Sequence, residues 1–143
     1  MSDNIKPINT PPVQGLRHVA LRVIHLPTSL NFYEQFFGMH VVWQPDPENV
    51  YLSSGRDNLA LHQIPANEIP AYQNREHQFL DHFGFLVDSP DSVDRFFHRM
   101  EQSAIPIVKP PKRHRDGSYS FYLSDPDHNI IQLLYEPTIS PTI

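Results

Sequence analysis

Apolar and polar positions alternate along Arg17-His18-Val19-Ala20-Leu21-Arg22-Val23, with Val19, Leu21 and Val23 on one side of the period. That is the pattern of a half-buried strand. A matching apolar-rich stretch returns at Asp81-His82-Phe83-Gly84-Phe85-Leu86-Val87, again with a histidine in second place. Each stretch leads through a proline-containing turn into a helical period. In the first copy Pro27-Thr28-Ser29 precedes Leu30, Tyr33, Phe36 and Phe37, and Gly38 stands where a left-handed C-cap belongs. In the second, Ser89 is placed to cap and Pro90 suits the first helical position. Val93, Phe96, Phe97 and Met100 then follow at i, i+3, i+4 and i+7, and Ser29 and Ser92 hold matching places.

Short strands follow both helices. Met39–Gln44 answers Ile105–Lys109, Tyr51-Leu52-Ser53 answers Tyr122-Leu123-Ser124, and Asn58 answers Asn129. Leu59-Ala60-Leu61 and Ile131-Gln132-Leu133 close the two copies. The order predicts a duplicated βαβββ unit, hence an α+β domain over residues 15–136, with modules at 15–64 and 80–136. A polar, proline-bearing connector covers 65–79, and residues 1–14 and 137–143 read as tails.

Bulk properties narrow the function. At 143 residues the chain fits one domain, and a net charge of −5 with mixed signs gives no footprint for nucleic acid. No apolar run approaches a membrane span, and Met1–Gln14 lacks the basic-then-apolar order of a secretion signal, so a cytoplasmic address is expected. With no cysteine in the chain, any metal must be held by imidazole, carboxylate or amide oxygen.

Four segments in this order resemble one family: the His18 strand, N-F-Y-E-Q-F-F-G-M from Asn31 to Met39, the His82 strand, and S-F-Y-L-S-D-P-D-H-N from Ser120 to Asn129. Over roughly Gly15 to Glu136 the chain is similar to the vicinal-oxygen-chelate superfamily of glyoxalases, bleomycin-resistance proteins and ring-cleaving dioxygenases. The resemblance implies two modules forming a half-open barrel around a divalent metal (Fe, Mn, Ni or Zn). The ligands are a histidine on the first strand, a histidine opening the second module and a glutamate on the final strand. Some members add a ligand at the end of the first module. By position these are His18, His82, Gln132 and, depending on alignment, Ala60 or Leu61. The last two positions depart from the pattern: Gln132 is neutral, and neither Ala60 nor Leu61 can donate, so metal binding is expected to be weak. His128 stands where the family turn usually has glycine.

Other readings stay open at this level. His18 and His82 are either ligands or strand histidines that only hydrogen-bond. Tyr122, ten residues before Gln132, is either a substrate-binding tyrosine, as in ring-cleaving relatives, or a core aromatic matching Tyr51. His114, in the basic run Lys112-Arg113-His114-Arg115, is a proton-transfer group or part of a solvated loop, and His62 a base, a substitute ligand or a rim residue. The expected function is a metal-dependent enzyme, of lyase or dioxygenase type, that chelates two adjacent oxygens of a small oxygen-rich substrate. The alternative is a non-catalytic small-molecule binding protein of the bleomycin-resistance type. The family habit of completing each cup with strands from a second subunit implies a homodimer, with the site inside one chain or shared between two.

Overall fold

A computed structural model describes residues 10–140; of the two predicted tails, residues 1–9 and 141–143 lie outside the described residues. The first module runs β1 (His18–Val23), α1 (Leu26–Phe37), β2 (His40–Asp46), β3 (Asn49–Ser53) and β4 (Asn58–Gln63). A short helix, α2 (Ile69–Gln73), interrupts the stretch predicted as plain connector. The second module runs β5 (Phe83–Leu86), α3 (Pro90–Gln102), β6 (Ile107–Arg113), β7 (Tyr119–Ser124) and β8 (Ile130–Tyr135).

Each module builds one four-stranded sheet, in the orders β1-β4-β3-β2 and β5-β8-β7-β6. The first strand of each module pairs parallel with its last, and the other pairings are antiparallel. The fold is α+β with paired βαβββ modules, and neither sheet closes on itself. Alternation sorts the faces: Leu21 and Val23 of β1 are buried while His18, Ala20 and Arg22 are exposed, and on β8 Ile131 and Leu133 are buried while Gln132 turns the other way. The buried faces meet the helices, with Phe32 and Tyr33 of α1 and Val93 and Met100 of α3 in the core.

The second helix starts as its sequence predicts, with Ser89 Oγ accepting the Ser92 N–H at 3.2 Å and Pro90 in the first turn. Gly38 ends α1 at φ 63°, the left-handed cap. The start of α1 differs from expectation. It begins at Leu26, one residue before Pro27, and its N-cap His25 makes no side-chain cap. A residue distant in sequence satisfies its first amide instead, Gln63 Oε1 accepting from Leu26 N at 2.8 Å, and just ahead of the helix the Asp127 carboxylate accepts from Ile24 N at 3.3 Å.

Two further expectations shift. β6 continues through Pro110 and Pro111, tolerable on an edge strand with irregular pairing, so Lys112 and Arg113 belong to a strand rather than to a loop. Asn58 lies inside β4 opposite His18, whereas Asn129 precedes β8, so the two asparagines are not equivalent. The modules meet through α1, whose Phe37 ring stacks 4.3 Å from Phe85 of β5. Among the described residues, no helix is long and apolar enough to cross a membrane.

Candidate functional site

The strand register resolves the open alignment. Ala20 sits opposite Ala60 on β4, and Gly84 sits opposite Gln132 on β8. His18 and His82 each lie two residues before those partners. Ala60 is therefore the position equivalent to Gln132, and Leu61, paired with Leu21, belongs to the core.

Both strand histidines are held the same way. His18 Nδ1 lies 2.8 Å from Asn58 Oδ1 and 3.2 Å from the Asn58 carbonyl, and His82 Nδ1 lies 2.6 Å from an Asp81 carboxylate oxygen. Each of these partners is an acceptor, so Nδ1 carries a hydrogen, and in the neutral ring Nε2 is the atom with the lone pair. On β8 the Gln132 amide nitrogen donates to Ser120 Oγ at 3.0 Å.

Four of the residues singled out in the sequence gather around the second sheet's open face. Tyr122 pairs with Gln132 in register, and the His82 ring stands edge-on to it at 5.2 Å. Lys109 Nζ lies 5.4 Å from the centre of the same tyrosine ring. His114 reaches this face indirectly, its Nε2 3.2 Å from Ser120 Oγ. The rest of the basic run builds the hairpin end, with Arg113 over Tyr119 and donating to the Gly117 carbonyl.

His18 stands on the other sheet. Its open face carries Arg22, which donates to the Tyr72 hydroxyl at 2.7 Å, and His62, whose Nδ1 lies 2.6 Å from Asn49 Oδ1. Tyr51 packs edge-on to His62, and Trp43, 59% exposed, lies 5.0 Å from Tyr51. Within one chain β1 and β5 are edges of separate sheets and share no hydrogen-bonded ladder. Among the described residues, no three His, Asp or Glu groups are close enough together to hold a metal.

A cavity of about 610 Å³ opens elsewhere, at the seam between the modules, lined in part by His25, Arg75, His77, Asp127 and His128. Its chemistry is committed to holding the seam. The Asp127 carboxylate accepts from Ile24 N ahead of α1, and Arg75 donates to the Asp127 carbonyl at 3.1 Å. Burial first, and the neighbouring Asp125 second, push the Asp127 carboxyl above its ordinary range. Beside it Asp125 accepts from Tyr33 Oη at 2.6 Å, and burial with that contact raises the Tyr33 phenol well above its usual value.

Sequence reasoning passed over Asn58, Asp81, Lys109 and Ser120. Asp81 was readable, since it adjoins His82 directly, and Ser120 shares the alternation that puts Tyr122 and Ser124 on one face. Asn58 and Lys109 become visible only once strands are paired.

The sequence model of the Glyoxalase/Bleomycin resistance protein/Dioxygenase superfamily matches residues 15–133. A Bacillus subtilis protein described as a probable trivalent organoarsenical cleaving enzyme is 29% identical over 123 residues, spanning 82% of this chain and 77% of that protein. An uncharacterised Pseudomonas aeruginosa protein is 27% identical over 137 residues, spanning 88% and 91%. The crystal structure of lactoylglutathione lyase from Agrobacterium tumefaciens superposes with a TM-score of 0.71 at 26% identity, covering 90% of this chain and 98% of that one.

Proposed function

The chain belongs to the Glyoxalase/Bleomycin resistance protein/Dioxygenase superfamily, and from that premise we propose that it is a metal-dependent enzyme acting on a small oxygen-rich molecule. His18, His82 and Gln132 form its ligand set. The observation that carries this reading is the shared arrangement of the two histidines, each held through Nδ1 by an oxygen acceptor with Nε2 left to bind. Ligating imidazoles are oriented in this way, by a second hydrogen bond that selects the tautomer.

The donor set suits a divalent cation in kind and falls short in charge: two imidazoles and an amide oxygen, with alanine at the fourth position. When bound there, such a cation (Fe, Mn, Ni or Zn) would polarise two adjacent substrate oxygens as a Lewis acid. The chain's own groups do the rest. Tyr122 presents its hydroxyl to substrate beside His82, and Lys109, over the same ring, favours an anionic one. His114 exchanges protons with this face only by way of the Ser120 hydroxyl. A chain without cysteine has no thiolate for a soft element such as trivalent arsenic, which favours oxygen ligands on the substrate.

The site is shared between two copies. β1 and β5 each end a sheet with an unpaired edge, and apposing the first edge of one copy to the second of its partner would bring His18 to the partner's His82. Calorimetric titration with Ni²⁺, Zn²⁺, Mn²⁺ and Fe²⁺ tests the ligand set. Weak binding, abolished by His18→Ala and by His82→Ala, is expected. Nanomolar binding that survives both substitutions together would show that the ligands lie elsewhere. A non-catalytic binding protein is the second reading, favoured by the exposed Trp43 lying against Tyr51 on the first sheet. Tight binding of a small molecule by metal-stripped protein, with no turnover after metal is restored, would decide for it.

A further inference from the structure

Directly paired residues share a face of a sheet, so the register lays one row of side chains across the open face of each module. On the first sheet the row is Ala20, Ala60, Tyr51 and Trp43. On the second it is Gly84, Gln132, Tyr122 and Lys109. The rows correspond position by position in the repeat. Each has a half-buried tyrosine next to the final-strand position, and an exposed residue from the outer strand lies against that tyrosine. The outer residues differ in kind. Trp43 lies 5.0 Å from Tyr51, ring to ring and tilted by 31°, and its row holds no charged group. Lys109 Nζ lies 5.4 Å from the centre of the Tyr122 ring, and among the described residues its ammonium enters no salt bridge. An exposed indole offers a broad apolar ring to another planar ring, and an unpaired ammonium offers a compact charge to an anion.

We propose that the two faces divide the substrate between them, Trp43 with Tyr51 taking a planar aryl group and Lys109 the negative charge it carries, so that the substrate is an aromatic anion. This division rests on the reading of a site shared by two copies and adds the class of molecule that fits it. When the first sheet of one copy meets the second sheet of its partner, the row that ends in tryptophan faces the row that ends in lysine. An aliphatic anion engages only the charged row and leaves the indole in water. A neutral arene engages only the aromatic row. A molecule that combines ring and charge engages both, whether it is turned over or only held.

The test uses the full chain and benzoate as probe. Trp43 is the single tryptophan of the chain, so its indole N–H gives one resonance that needs no assignment. At fixed protein concentration, benzoate should shift that resonance to saturation. Cyclohexanecarboxylate, with the same charge and no flat ring, should bind about fivefold more weakly, the scale of an aromatic pair. Calorimetry should show a similar loss of benzoate affinity in Trp43→Leu and its recovery in Trp43→Phe. Lys109→Ala should weaken benzoate by about threefold, as for a partly exposed charge contact. Equal affinity for the two acids, or no loss in Trp43→Leu, would overturn the aryl assignment. No loss in Lys109→Ala would show that the two rows do not hold one ligand and would overturn the division. An indole resonance that moves with protein concentration and ignores benzoate would give Trp43 to contact with a second copy, and also overturn it. Ni²⁺ calorimetry on the same protein reports separately on His18, His82 and Gln132. Benzoate binding that meets these marks supports the division even where Ni²⁺ does not bind, and its absence from protein that binds Ni²⁺ overturns the division alone.

Discussion

Gln132 shows how much one atom changes at the residue scale. Opposite Gly84 and beside Tyr122 it holds the final-strand position that the family resemblance assigns to a ligand, yet its side chain is neutral. Gln132→Glu restores an anionic oxygen in a nearly isosteric side chain, and a charge-assisted contact is the stronger kind. Ni²⁺ affinity, read by calorimetry, should rise at least tenfold, about 1.4 kcal/mol. An unchanged affinity would mean that Gln132 does not face the histidines. Ala104 offers a prediction of another kind. It follows α3 at φ 57°, a left-handed conformation that its methyl group disfavours. Ala104→Gly should therefore stabilise the protein by about 1 kcal/mol, the usual scale of such backbone strain. Urea denaturation measures it, and a loss of stability would contradict it. The candidate ligands could be named from sequence because they sit inside the repeat. The contact of Asn58 with His18 could not, because it spans forty residues and forms only across a parallel pair of strands.

At the scale of elements, α1 and the turn between β7 and β8 explain each other. Asp125 Oδ1 accepts from Asp127 N at 2.9 Å and from Asn129 N at 2.8 Å, so the D-P-D-H-N turn is folded around one carboxylate. The turn thereby aims Asp127 at the Ile24 amide just ahead of α1 and at the Ser29 hydroxyl within it. The pH consequence has the less common sign. The native Asp127 carboxyl lies above its unfolded value of 3.8, chiefly because it is buried, so the folded state binds its proton more readily. Its contribution to stability therefore grows as pH falls from the raised native value toward 3.8. The cost of Asp127→Asn should accordingly be larger at pH values just above the ordinary carboxylate range than at neutral pH. Denaturation curves for parent and variant across that window give the difference, and a cost that shrinks on acidification would reverse the assignment. Sequence predicted both helices and the Ser89 cap, because those signals are local. It read Pro27-Thr28-Ser29 as the turn leading into α1, because Gln63, which takes the first helix amide, comes from another part of the chain.

For the whole molecule the question is how the two sheets share a site. Inside one chain the modules are joined through α1, by Phe37 on Phe85 and Tyr33 on Asp125, and not by a ladder between β1 and β5. If a second copy supplies the missing neighbour, two inactive variants should complement each other. Mixing the His18→Ala and His82→Ala proteins in equal amounts, with subunit exchange, should recover Ni²⁺ binding at about a quarter of the sites. Random pairing makes half the dimers mixed, and each of those holds one intact site. No recovery from a demonstrably mixed population would put both histidines of a site in one chain, and sedimentation showing only monomer at micromolar concentration would remove the shared site altogether. The sequence by itself determined the duplication, the faces of the strands and the identity of the candidate ligands. Alternation, helical period and a repeated motif are written in neighbouring residues. Only the tertiary structure decided that Ala60 is the counterpart of Gln132, that Asn58 contacts His18, and that His18 and His82 lie on separate sheets. Those facts depend on strand register and on contacts between distant segments, and a one-residue change of register would turn each of these side chains to the opposite face.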